Sequence, residues 1–241
     1  MAKEQVFIAK GSAPWYSNDW VGIDKVISMN RSDLGTTITY DDSITDTEYM
    51  FENCSNLTAL DISNFDTSNV VDMGFMFSNC YSLTTLDLSS FDTSKAEYMN
   101  HMFFGCSGLT KLDLSNFNTS GIFNMSEMFT GCRSLTSIDL SSFDTSNVCD
   151  MSWMFTGCRS LTSIDLSSFD TSNVENMLSM FYGCSNLTTI KGVIDMKSCK
   201  DTDYYNMFYG CHELKNVKIK NPPNNFERNS GLSESQYTIV S

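Results

Sequence analysis

A period of 26 residues runs through most of the chain and constrains its fold more than any other feature. The pair Met-Phe recurs at Met50-Phe51, Met76-Phe77, Met102-Phe103, Met128-Phe129, Met154-Phe155, Met180-Phe181 and Met207-Phe208, the last step being 27 residues. Cysteines keep the same beat at Cys54, Cys80, Cys106, Cys132, Cys158, Cys184 and Cys211. The stretch MFTGCRSLTSIDLSSFDTSNV occurs twice without a change, from Met128 to Val148 and from Met154 to Val174. Repetition that tight serves architecture, so specificity is expected where the copies differ.

Residues 135–158 show what one unit encodes. The alternation Ile138-Asp139-Leu140-Ser141 has the period of two of a short strand. In the following DTSNV, Asp144 or Ser146 offers a helix N-cap, and Ser94 with Glu97 and Ser172 with Glu175 have the spacing of capping boxes. Val148, Met151, Met154, Phe155 and Cys158 then predict one apolar side of a helix about two to three turns long. The residue before each cysteine is Asn53, Asn79, Gly105, Gly131, Gly157, Gly183 or Gly210, which predicts a left-handed stop. A single unit leaves apolar faces open on both sides. Stacked units cover them and pair their strands in parallel, about 4.8 Å apart.

The pattern L-x-x-L-x-L, with F-x-x-C and F-D-T-S-N-V around it, covers residues 44–220 and resembles the BspA-like leucine-rich repeats of bacterial surface proteins. The resemblance implies an α/β fold: a leucine-rich-repeat solenoid with a parallel β-sheet on one face and short helices on the other, in about seven coils plus terminal caps. It also implies adhesion or protein binding outside the cell, without enzymatic activity. Residues 1–43, with Trp15, Trp20 and the stretch DLGTTITY, read as an N-terminal cap and degenerate first coil. Residues 221–241, from NPPNNF onward, read as a C-terminal cap or tail.

A net charge of −14 would repel a nucleic-acid backbone or an anionic membrane and suits a basic partner. No stretch approaches the roughly 20 apolar residues needed to span a bilayer, so membrane insertion is not expected. The opening MAKEQVFIAKGSAPWYSNDW has no long apolar run after its charges, which fits cytoplasmic synthesis or a trimmed export signal. No cell-wall sorting or lipid-anchor motif is visible. Protein or glycan recognition leads as a function. A structural part in a phage virion or surface fibre is the alternative, and the oligomeric state stays open.

Candidate residues fall into three groups. The seven cysteines on the beat follow an apolar face and read as buried free thiols, and 26-residue spacing matches no zinc motif; Cys149 and Cys199 lie off the beat and read as plain surface or half-buried residues or, alternatively, as the reactive thiols of the chain. Asp61, Asp87, Asp113, Asp139 and Asp165 share one strand position, followed by Lys191 and Lys218. They read as a solvated ladder held by hydroxyls, or as an acidic strip for a basic partner or cations. Phe75, His101, Phe104, Phe123, Trp153 and Tyr182 fall on outward positions and read as a partner-binding face or as rings stacked between coils. No calcium loop, metal motif or cofactor motif appears. His101 and His212 are the only histidines, and no G-x-S-x-G or H-E-x-x-H occurs, so catalysis is not expected.

Overall fold

The computed structural model describes residues 44–60, 62–63, 65–200 and 202–241, together with the strand residues 4–5 and 25–26. Within them each repeat makes one coil, and equivalent residues of successive coils lie side by side. Ten short strands result: β1 (Glu4–Gln5), β2 (Lys25–Val26), β3 (Ala59–Leu60), β4 (Lys111–Asp113), β5 (Ser137–Asp139), β6 (Ser163–Asp165), β7 (Thr189–Lys191), β8 (Ile194–Asp195), β9 (Val217–Lys220) and β10 (Tyr237–Val240). Every pairing is parallel and in register, so Leu112 faces Ile138, Asp113 faces Asp139 and Asp165 faces Lys191. The strands are short because the alternation is short: Lys111 and Asp113 are exposed while Leu112 is buried.

The core is a set of rows, each built from one repeat position. Phe51, Phe77, Phe103, Phe129, Phe155, Phe181 and Phe208 stack with ring centroids 5.4 to 5.7 Å apart and planes within 11° of parallel. The methionine, leucine and cysteine rows beside them are equally buried. From the second coil on, each cysteine of the beat also donates its thiol to the backbone oxygen of the phenylalanine one coil back, as in Cys106 Sγ to Phe77 O at 3.0 Å and Cys158 Sγ to Phe129 O at 3.2 Å. These thiols are free, and burial pushes Cys106 and Cys158 up to about 12.

The expected helical face is corrected by the structure. Among the described residues the one α-helix is α1 (Phe226–Ser230); the run from Met151 to Cys158 is a chain of tight turns. Its amides alternate between two kinds of partner. Met154 N, Thr156 N and Cys158 N bond three residues back, to Met151, Trp153 and Phe155. Trp153 N, Phe155 N and Gly157 N instead reach the next coil, at Leu178 O, Met180 O and Tyr182 O over 2.8 to 2.9 Å. Each coil turns twice through the left-handed region, as at Trp153 (φ 60°) and Gly157 (φ 71°). The glycine positions are therefore left-handed as the sequence predicts, but they close turns, not a helix. The Ser94 and Ser172 capping boxes likewise cap no helix.

Up to three Asx turns bend a coil, and Tyr98 and Lys191 stand where two of the coils lack one. Asp139, Asp144 and Asp150 accept the amides of Ser141, Ser146 and Ser152 at 2.8 to 3.0 Å, each two residues on. Between them the buried threonine row ties coil to coil: Thr145 Oγ1 donates to Asp170 O at 3.0 Å and accepts from Asp170 N at 2.8 Å, and Thr67, Thr93, Thr119 and Thr171 repeat the exchange. At the C-terminal end the repeat gives out, and α1, a 3-10 turn at Glu234–Gln236 and β10 take the next coil's place. Ser230 O and Asn229 O receive Phe208 N and Asn206 N at 2.7 Å, while Phe226 and Leu232 bury against the last coil. Apart from β1 and β2, residues 1–43 lie outside the described residues, including Trp15 and Trp20.

Candidate functional site

On the strand face the aspartates of the acidic strip stand in line on adjacent coils. Asp87, Asp113, Asp139 and Asp165 each accept the amide of the serine two residues on, at 2.9 to 3.0 Å. Hydrogen bonds from that serine hold all four carboxyls below the usual range. At Asp139 the charges of Asp113 and Asp165 push the other way with smaller effect. Asp165 also meets Lys191 Nζ at 3.3 Å in an exposed pair. Asp61 lies outside the described residues. Asp113, Asp139 and Asp165, with Ser137, Ser141 and Ser167, line a depression of about 730 Å³. Among the described residues no cluster of His, Cys, Asp and Glu has the grouping of a metal site.

The turn run carries the aromatics, and the structure separates the six candidate residues into three rows. Phe75 and Trp153 share the row whose residues all have positive φ: Tyr49, Phe75, His101, Glu127, Trp153, Ser179 and Asn206. Phe75 is half-buried between Tyr49 (centroids 4.8 Å) and His101 (4.2 Å), and His101 Nε2 reaches Glu127 Oε1 at 3.1 Å, so Phe75 packs coil on coil. Trp153 stays 37% exposed, with no ring stacked on it among the described residues. Phe123, 57% exposed, belongs to a second row beside the exposed Cys149, whose thiol meets Phe123 O at 3.3 Å. Cys199, off the cysteine beat, fills the position of Val174; it is half-buried, donates to Val174 O at 3.3 Å, and burial raises its thiol to about 12.

Phe104 and Tyr182 occupy the third row, with Thr130 and Thr156 between them on the intervening coils, and all four line one groove. This groove, of about 420 Å³, is lined further by Tyr81, Arg133, Arg159 and the glycines 105, 131, 157 and 183. Tyr182 is backed by Tyr209, with centroids 5.4 Å apart. Arg133 and Arg159 were not singled out from the sequence, although the exact duplication carried the signal by placing T-G-C-R on two adjacent coils. The exposed aromatics of the described residues, Tyr81, Tyr98, Phe123, Trp153, Tyr182, Tyr205 and Tyr209, all belong to the turn runs and the segments flanking them; the strand face has none.

Short in-register strands, stacked phenylalanines and inter-coil turn bonds define a leucine-rich-repeat solenoid. The chain belongs to the family described as Mycoplasma protein of unknown function, DUF285, which matches residues 24–113 and 104–221. Among solved structures it is similar to a leucine-rich repeat protein of T. pallidum, with a TM-score of 0.50 and 21% identity over 85% of this chain and 80% of that one. It is also similar to a leucine-rich repeat protein from Bacteroides ovatus ATCC 8483, with a TM-score of 0.41 and 18% identity over 82% of this chain and 66% of that one. The T. pallidum likeness is one of fold. No curated protein matches the chain in sequence. Among the described residues no helix is long and apolar enough to cross a membrane.

Proposed function

We propose that the chain is a non-enzymatic recognition scaffold of the BspA-like kind, presenting a rigid repeat surface to a protein or glycan in adhesion at a cell surface. The observation that carries this reading is the one-sided placement of exposed aromatics, on a frame whose own phenylalanines are already buried in the core. Aromatic side chains offer large contact area with few rotamers to fix, which suits a binding face held by a constant backbone.

Trp153 supports the reading in a second way. A bulky residue at φ 60° sits where the backbone favours glycine or asparagine, and Asn206 holds the equivalent place in a later coil at φ 56°. The experiment compares the chain with its Trp153→Asn and Phe123→Ser variants for binding to surfaces coated with matrix protein or mucin. Both variants should unfold at or above the parent temperature and bind at least about tenfold more weakly. Unchanged binding by both, or unfolding that accounts for the loss, overturns the reading.

A further inference from the structure

Thr130, Gly131 and Arg133 recur as Thr156, Gly157 and Arg159 on the next coil, and this identity builds a feature that single repeats lack. In a chain with 15 basic and 29 acidic residues, two exposed arginines occupy the same position of adjacent coils, whose backbones lie roughly 5 Å apart, and both line one groove. Among the described residues neither side chain has an ion-pair or hydrogen-bond partner, although both backbone amides are bonded two residues back, to Gly131 O and Gly157 O. Like charges so placed repel unless an anion sits against both, and each guanidinium offers a planar fork of donors that fits a carboxylate.

The rest of the groove narrows the ligand. Phe104 and Tyr182 both line it, and Tyr81, on the arginine row, extends the lining one coil beyond Phe104. Its floor has no free main-chain groups to give: the amides of Gly105, Gly131, Gly157 and Gly183 are all spent on the next coil's carbonyls at 2.7 to 2.8 Å. An extended peptide added as a strand needs those groups. A sugar does not, because it brings apolar C–H faces for the rings and its own hydroxyls and acid groups for side chains. The volume of about 420 Å³ falls in the small-ligand range of roughly 300–1,000 Å³.

We infer that this groove binds an acidic oligosaccharide, with carboxylates on neighbouring sugars seated on Arg133 and Arg159 and sugar rings against Phe104 and Tyr182. The inference rests on the recognition-scaffold reading above and gives it a ligand class. Tetragalacturonate is titrated calorimetrically into the full chain, alongside its methyl ester and a peptide of alternating Glu and Gly. The ester should bind at least about tenfold more weakly than the acid. The double variant Arg133→Ser, Arg159→Ser should lose binding at an unchanged melting temperature, because Ser107 and Ser185 already fill that row in neighbouring coils. The corresponding Arg→Lys pair should recover part of it. No binding of tetragalacturonate, equal binding of the ester, tighter binding of the peptide, or binding that survives the double Ser variant overturns the inference. A chain that holds matrix protein or mucin but not tetragalacturonate loses only the ligand assignment; one that holds none of them loses the scaffold reading as well.

Discussion

Thr145 is buried, yet its hydroxyl serves both the oxygen and the amide of Asp170 in the next coil. Thr145→Val keeps the shape and removes the polar atom, leaving two backbone groups without their partner, so it should cost about 1–3 kcal/mol in denaturant unfolding. Thr145→Ser should cost less. The cysteines give a second residue-scale test. Nine are free, but only Cys149 is exposed. Ellman's reagent should therefore label one thiol quickly in the native chain, and Cys149→Ser should abolish that fast phase, while the half-buried Cys199 reacts more slowly and the seven buried thiols only after unfolding. Labelling of Cys199 as fast as that of Cys149 would contradict its raised thiol. The burial of the cysteine beat was legible in the sequence. The hydrogen bond that each thiol makes was not, because its acceptor is a backbone oxygen one coil away.

At the scale of elements, the Asx turns explain why so acidic a chain folds: its aspartates are corner pieces. Hydrogen bonds from serine depress Asp66, Asp87, Asp92, Asp113, Asp139, Asp144, Asp165 and Asp170. A carboxyl with a lowered folded pKa stabilises fully above its unfolded value, about 3.9, and loses that contribution as pH falls through the folded value. Glu48, Glu52 and Asp72, raised chiefly by desolvation, act in the opposite sense. The more numerous lowered group should win, so the melting temperature should hold between about pH 7 and 5 and drop below about pH 4. A melting temperature that rises below pH 4 would show that relief of net charge dominates instead. Asp144→Asn should keep its turn, since Asn118 accepts Ser120 N at 3.0 Å in the same row, and should soften the acid drop. The sequence showed Asp-Thr-Ser recurring but read it as a helix cap, because the same oxygen-to-amide geometry begins a helix or closes an isolated turn.

For the whole molecule, stability is shared between neighbouring coils, so the unit of change is one full period. Deleting residues 129–154 joins Met128 to Phe155 and should leave a shorter, cooperatively folding solenoid, seen as an intact sharp melt. Deleting only 129–141 breaks every row at once and should abolish that melt. The sequence by itself determined the period, the in-register stacking, the buried rows and one of the two left-handed positions in each coil, because these follow from which residues recur and how large they are. It also held the paired arginines in plain view inside the duplicated stretch. Only the tertiary structure decided between helix and turns for Met151 to Cys158, since the apolar spacing suits both and the deciding amide partners, Leu178, Met180 and Tyr182, lie a full coil away. It alone brought Phe104, Tyr182, Arg133 and Arg159 around one groove, because neighbourhood across a solenoid is set by the stacking of coils and not by distance along the chain.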